Sequence, residues 1–412
     1  MNVIEEATKA ARETAATDGR ESVSEMEPML ITEGSRFRPE LTELAFELAG
    51  KAAGFRRSLP SGILAALADL VRSMNCYYSN LIEGHDTHPV EIERALKGNY
   101  SDNAEKRKLQ KEAKAHIAVQ RWIDEGNLRG KANTREGIRE VHRRFSAELP
   151  PQLLWAENPD THERLPIVPG EFRLNDVKVG RHHPVSPGAV PRFMDRFEGV
   201  YTGLNRVESV LAAAAAHHRL VWIHPFLDGN GRVARLMSHA TLLETLDTGA
   251  VWSVARGLAR KVDTYKELLA NCDRTRRNDL DGRGNLSEEA LVDFTRFFLK
   301  MCIDQVEFME KLVQPNELRT RIHLWVEEEA ARKRVNPKAA MLLDAILYRG
   351  EVPRGDVAQI LGLSTRYSRD TVAELTKQGV VASDTPYGPL RIVFTAKLAP
   401  RWMPGLFPEE PR

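Results

Sequence analysis

The sequence predicts a mainly α-helical protein, interrupted by one small β-hairpin and ending in a winged helix-turn-helix domain. Three observations carry that expectation. From about residue 40 to residue 310, apolar residues recur at three- and four-residue steps over most of the chain. That spacing fails once, in the Pro- and Gly-rich stretch "PIVPGEFRLNDVKVGRHHPVSPGAVPRF". In the last 80 or so residues the elements shorten into three helices followed by two strands. A chain of 412 residues is too long for one typical domain and has room for two or three.

Residues 1–35 are rich in Glu, Ala, Thr and Ser and read as a polar N-terminal tail, loosely ordered or a short helix. Residues 36–130 form an N-terminal helical region, through "PELTELAFELAGKA", "SGILAALADLVRSMNCYYSNLIEG" and a charged amphipathic helix that stops at Gly126. The next helix, "NTREGIREVHRRFSAEL", takes Asn133 as its N-cap and stops at Pro150-Pro151. The alternating piece "FRLNDVKV" is the hairpin candidate. Helical spacing resumes at Val190 and runs through "VESVLAAAAAHHRLVWIHP" to about residue 330, so residues 131–330 form the core. Residues 335–400 hold the winged-helix order, and 401–412 form a C-terminal tail.

Composition narrows the class. A hydrophobic content of 42% with 28% charged residues is that of an ordinary globular protein. The net charge of +1 gives no global field for nucleic acid or a membrane surface. Cys76, Cys272 and Cys302 lie far apart, which fits neither a disulfide framework nor a zinc cluster and suits a reducing compartment. The first residues lack the apolar run of a secretory leader, and "VLAAAAAHHRLVWI" is too short and too polar to span a bilayer. The expectation is a soluble cytoplasmic protein with no membrane partner.

Chemistry concentrates in "WIHPFLDGNGRVARL", residues 222–236. A Gly-Asn-Gly loop between two helices presents unpaired backbone N–H groups at a helix N-terminus, which is an anion site. Arg232 and Arg235, three residues apart on the following helix, suit bidentate contact with phosphate oxygens. Asp228 is a candidate ligand for the Mg²⁺ that accompanies a nucleoside triphosphate, and His224 a candidate general base. Together these are the parts of a phosphoryl-type transfer.

The stretch "HPFLDGNGRVAR" resembles the motif of the Fic family, with every defining position filled. The resemblance implies a Fic-type helical core and AMP transfer from ATP to a Ser, Thr or Tyr hydroxyl of a target protein. His224 would then be the base and Asp228 the Mg²⁺ ligand. Gly229, Asn230 and Gly231 would form the anion hole, Arg232 and Arg235 would hold the outer phosphates, and Phe226 would anchor the loop. The intact Asp-Gly-Asn-Gly-Arg favours adenylylation over the family's kinase-like and phosphocholine-transferring branches. Upstream, "SNLIEG" (79–84) places Ser79 and Glu83 at i and i+4 on one helix face. A solvated helix face is the default for such a pair. The stretch resembles the family's inhibitory motif, in which the Glu pairs with the second motif arginine, here Arg235. A carboxylate there takes the guanidinium meant for the γ-phosphate, and in some relatives it serves the reverse reaction, removal of AMP. The resemblance also implies a homodimer.

The remaining signals are weaker. The hairpin falls where relatives carry a flap that clamps target peptides by strand addition; an ordinary surface hairpin is the alternative. Tyr265 resembles an adenine-pocket position, with a core tyrosine as the alternative. His182-His183 read as flap or surface residues, and His217-His218 as packed groups behind the motif. "RRNDLDGRGNLSEE" is no EF-hand, because its first ligand would be Arg277; Ser287 reads as a helix cap. In the winged helix, Arg366, Tyr367 and Arg369 stand at the start of the element that would enter a DNA groove. Ten Lys/Arg against eight Asp/Glu over residues 335–412 favour DNA only weakly, so a DNA-binding regulator with a nucleotide-sensing core is the rival function.

Overall fold

Helices form where the three- and four-residue spacing predicted them, and the alanine-rich one lies at the centre of the computed structural model, which describes residues 16–157 and 162–408. The N-terminal helices are α1 (Arg38–Ser58), α2 (Ser61–Ile82), α3 (Pro89–Leu96), α4 (Ala104–Asp124) and α5 (Arg135–Ala147). A two-stranded antiparallel sheet of β1 (Trp155–Glu157) and β2 (Arg164–Pro166) follows. The second half begins with α6 (Val190–Tyr201), α7 (Arg206–Ile223), α8 (Asn230–Leu246), α9 (Val254–Arg260), α10 (Val262–Asn271), α11 (Glu288–Leu312) and α12 (Pro315–Ala331). The chain closes with α13 (Ala339–Arg349), α14 (Val357–Leu361), α15 (Thr365–Lys377), β3 (Val381–Ala382), β4 (Arg391–Ile392) and α16 (Ala399–Trp402). Among the described residues no helix is long and apolar enough to cross a membrane.

The alanine run explains the centre. Every residue from Val210 to Leu220 is buried, so α7 is enclosed on all sides. Side chains no larger than a methyl group at Ala212–Ala216 let α8, α6, α1 and α11 close around it. The second buried helix is α2, in which every residue from Leu70 to Asn80 is buried. It lies against α4 and α9, and its polar side chains find partners there, as in the ion pair of Arg72 Nη1 with Asp124 Oδ2 at 2.8 Å.

Four local expectations are corrected. Thr134, not Asn133, caps α5: its Oγ1 accepts from Gly137 N at 2.9 Å, while Asn133 Nδ2 donates to Tyr201 O at 3.4 Å. "FRLNDVKV" is not a strand of a hairpin; residues 172–185 show a single bridge, Val179 to His182, because Arg173 is drawn inward instead of lying in a ladder. The β-pair lies upstream, at β1 and β2. The described part of the N-terminal tail is packed, since Met26, Met29 and Ile31 are apolar enough to seat in the core. Its backbone is held as well: Tyr201 Oη donates to Met29 O at 2.6 Å, and Arg192 Nε donates to Glu21 O at 3.1 Å. Residues 1–15 lie outside the described part. The C-terminal tail, as far as residue 408, likewise buries Trp402, Met403 and Leu406, and Leu406 O accepts from Tyr78 Oη on α2 at 2.9 Å.

In the C-terminal module three helices precede the antiparallel pair β3–β4, in register Val381 with Ile392, and a further bridge joins Val352 to Leu390. The module meets α2 at two places, the Leu406 contact and the start of the helix. There a Cβ on Gly62 would fall 2.2 Å from Gly350 O, so the two backbones touch. Gly62→Ala isolates that contact, because alanine favours an exposed helix by about 1 kcal/mol over glycine. The contact predicts the opposite sign, a loss of about 1–3 kcal/mol from overpacking. Thermal unfolding of the variant should show a lower midpoint; an unchanged or raised midpoint contradicts the tight approach.

Candidate active site

The site is built at the junction of α7 and α8. α7 ends because His224 turns left-handed, at φ 52° and ψ 61°, and Pro225 cannot continue the helix. The imidazole is largely enclosed. Its Nδ1 lies 3.3 Å from Val221 O, a carbonyl that only accepts, so Nδ1 carries the proton and Nε2 is left with its lone pair. Burial is the main reason its pKa falls to about 4, with Arg173 and His182 adding to the effect against the hydrogen bond to Val221.

The loop that follows is fixed from inside. Phe226 is fully buried and stacks on His142 with ring centroids 3.9 Å apart and planes 3° from parallel. His142 Nδ1 accepts from Gly170 N at 2.9 Å, and burial holds its pKa at about 4. Asn230 grips the same anchor from the other side: Phe226 N donates to its Oδ1 at 2.9 Å, and its Nδ2 donates to Phe226 O at 2.8 Å. The Asn230 side chain therefore shapes the loop, and its backbone is what it can offer an anion. Gly229 needs its left-handed φ of 82° to start α8 at Asn230. The first-turn N–H groups of α8 then have no intrahelical partners and point at the space in front of the loop.

Glu83 occupies that space. The helix α2 ends in a glycine cap, with Gly84 at φ 85° and His85 N bonded to Asn80 O at 2.9 Å, which turns the Glu83 side chain toward α8. A Cβ on Gly231 would sit 2.6 Å from Glu83 Oε1, so the carboxylate lies directly over the loop backbone. Arg235 Nη2 donates to Glu83 Oε1 at 2.5 Å and to Ser79 O at 3.2 Å, while its Nε donates to Ser79 Oγ at 2.9 Å. The Arg235 side chain is only 3% exposed and Ser79 0%, so the solvated-face reading of Ser79 fails, while the Glu83 side chain keeps 36% of its surface open at the site. Burial alone would raise the Glu83 carboxyl; the charge and hydrogen bond of Arg235, with Arg232 beyond, outweigh it and hold it below the ordinary carboxylate range.

Arg232 is also held. It donates to Glu112 on α4 and to Asp228 Oδ2 at 2.8 Å, and its guanidinium carbon lies 4.9 Å from the Phe145 ring centroid. Glu112 is shared with His85, whose Nδ1 is 3.2 Å from its Oε2, and that carboxylate raises the His85 pKa. Asp228 differs from all of these: its side chain is 57% exposed at the mouth of the site. The structure thus brings His224, Asp228, Gly229, Asn230, Gly231, Arg232, Arg235, Ser79 and Glu83 together.

Other candidates lie elsewhere. Tyr265 is buried and its hydroxyl donates to His217 Nε2 at 2.8 Å; His217 Nδ1 donates on to Ser238 Oγ at 2.9 Å. It therefore sits in the core behind Arg235. His218 Nε2 donates to Asp273 Oδ1 at 2.9 Å. Ser287 caps α11, its side chain accepting from Ala290 N at 3.1 Å. Arg366 and Arg369 are exposed on α15 of the C-terminal module. Residues that the sequence did not single out are Arg173, His142, Glu112 and His85, whose partners are distant in the chain.

Comparison with known proteins agrees with this geometry. Residues 133–242 match the Fic/DOC family. The curated "Protein adenylyltransferase Fic" of Drosophila erecta is 46% identical over 80 residues, which is 19% of this chain and 16% of that protein. The protein of the same name from Drosophila mojavensis is 48% identical over 80 residues, with the same shares. The matched stretch is thus about a sixth of each relative's length. A crystal structure of a Fic family protein from Desulfovibrio desulfuricans superposes with a TM-score of 0.51 at 17% identity, covering 88% of this chain and 98% of that one. That likeness extends the shared helical fold well past the matched stretch. The stretch of this chain that is similar to the Fic/DOC family, residues 133–242, holds the loop and both arginines.

Proposed function

We propose that this chain is a protein adenylyltransferase that transfers AMP from ATP to a Ser, Thr or Tyr hydroxyl, and that Glu83 holds it at rest. The observation that carries this reading is the Glu83 carboxylate on Arg235 and over Gly231, where the anion-binding groups of the loop converge. A carboxylate in that place satisfies the guanidinium and the helix N-terminus as a phosphate would. ATP and Glu83 then compete for one positive site.

The chemistry follows from the base. The target hydroxyl oxygen attacks the α-phosphorus and gives its proton to His224 Nε2. The bond from the α-phosphorus to the bridging oxygen breaks, and pyrophosphate leaves with that electron pair. Arg235, freed from Glu83, and the N–H groups at the start of α8 hold the negative charge on the outer phosphates. Asp228 is the residue suited to Mg²⁺: it is an exposed carboxylate, and no cluster of three or more His, Cys, Asp or Glu able to hold a metal occurs among the described residues, so phosphate oxygens and water must complete the shell. Such an ion, when bound, neutralises phosphate charge. A second reading, DNA binding through the C-terminal module, draws on the exposure of Arg366, Tyr367 and Arg369 along α15. A salt-dependent gel shift that survives Arg366→Ala with Arg369→Ala would remove its basis.

Two tests bear on the transfer reading. With labelled ATP and Mg²⁺, Glu83→Gly should label itself or lysate proteins at least about 10-fold more than the wild type, the worth of one displaced charge contact of about 1.4 kcal/mol. Adding His224→Ala should abolish the label, and equal labelling by wild type and Glu83→Gly would sink the inhibitory role. The second test is pH. Burial keeps His224 unprotonated above a pKa of about 4, so the Glu83→Gly rate should be level through neutral pH and fall only as acid approaches that value. A rate that climbs with an apparent pKa near 6.5 would mean that a more exposed histidine is the base.

A further inference from the structure

The end of α7 raises an accounting question about its carbonyls. A helix leaves its last four C=O groups without intrahelical partners, and an interior end needs donors from elsewhere. Leu220 O and Val221 O are met by His224 itself. One segment supplies donors in order to the last two helix carbonyls and the two that follow. His182 Nε2 donates to Trp222 O at 2.7 Å. Arg173 Nη2 reaches Ile223 O at 3.5 Å, its Nε donates to His224 O at 2.8 Å, and its backbone N donates to Pro225 O at 2.9 Å. The rest of the guanidinium holds the segment itself, through Asn175 O at 3.1 Å and Val185 O.

Arg173 is a buried cation held without an ion partner among the described residues. It is 2% exposed, and Asp176 and Glu21 act on it only through their field. A buried cation normally takes an ion partner, and this one is solvated by carbonyl oxygens instead. Burial lowers its pKa to about 10, which leaves it charged at neutral pH. One of its carbonyls belongs to His224, which stands in a left-handed backbone that costs a non-glycine residue about 1–2 kcal/mol.

We infer that Arg173 is a positioning residue for the base: its fork holds the carbonyls of Ile223 and His224 and so fixes the backbone turn that aims the imidazole into the site. A second consequence follows from its charge. An unpaired cation next to the imidazole opposes a proton on that ring, and Arg173 is among the groups that keep His224 neutral. The inference rests on the proposed role of His224. It differs from ordinary helix capping because the fork and the charge make separate predictions. Arg173→Lys keeps a positive charge but cannot reach several carbonyls at once, whereas Arg173→Gln loses both.

The test uses the full chain carrying Glu83→Gly. Three quantities are measured: the labelling rate, the affinity for a non-hydrolysable ATP analogue, and the His224 titration by histidine-selective NMR, assigned by the resonance missing from His224→Ala. Arg173→Gln should slow labelling about 10- to 100-fold, the range expected when a catalytic group is misplaced by a fraction of an ångström to 1 Å. Its analogue affinity should be unchanged, and its His224 titration should move up from about 4 toward the ordinary histidine value. Arg173→Lys should slow labelling while leaving the titration low. A titration that stays put in Arg173→Gln, or affinity lost in proportion to rate, overturns the inference. A parent chain that transfers no AMP overturns the transfer reading, while the titration still decides the role of Arg173.

Discussion

A buried guanidinium must have its charge met, by an anion or by carbonyl oxygens, and at Arg235 a carboxylate meets it. Leaving such a charge unpaired in the interior costs about 3–5 kcal/mol. Arg235 lies on α8, which packs closely against the alanine run of α7, and its side chain is buried. To it α2 delivers Ser79 and Glu83. A carboxylate from a helix far away in sequence thus meets the demand of this guanidinium, which is the contact the proposed competition with a triphosphate rests on.

The same logic sorts the remaining charges. Arg232 is divided between Glu112 and Asp228, Glu112 between Arg232 and His85, and Arg173 among backbone carbonyls alone. Each guanidinium is matched by geometry to what it can hold: paired oxygens for the two on α8, a fan of carbonyls for the one at the end of α7. The result is a His224 imidazole kept neutral, a loop braced where Phe226 is clamped by His142 and Asn230, and a guanidinium at Arg235 paired with the Glu83 carboxylate. Since α2 also meets Gly350 and Leu406, the helix that carries Glu83 is in contact with the C-terminal module along its length.

Much of this was legible in the sequence, for identifiable reasons. The loop residues are contiguous, so their joint chemistry could be seen without a structure. Ser79 and Glu83 obey a helical i, i+4 relation and were visible as a pair, although only the fold shows Ser79 in the interior. Arg173 was not legible, because its partners are carbonyls, which leave no trace in residue type; the alternating pattern around it instead suggested a strand. Glu112 was one acid among many in a charged helix. The packing of residues 16–35 rests on Met26, Met29 and Ile31, three apolar residues too sparse among polar ones to announce burial. Tyr265, singled out by its resemblance to an adenine-pocket position with a core tyrosine as the alternative, is bonded to His217 in the core.

The most direct test of the account is the structure of the Glu83→Gly chain with bound Mg²⁺ and a non-hydrolysable ATP analogue. The account predicts a terminal phosphate oxygen within hydrogen-bond distance of Arg235, in the place vacated by the Glu83 carboxylate, with the α-phosphate facing His224 Nε2. A triphosphate bound away from the start of α8, with Arg235 still held only by Ser79, would contradict it.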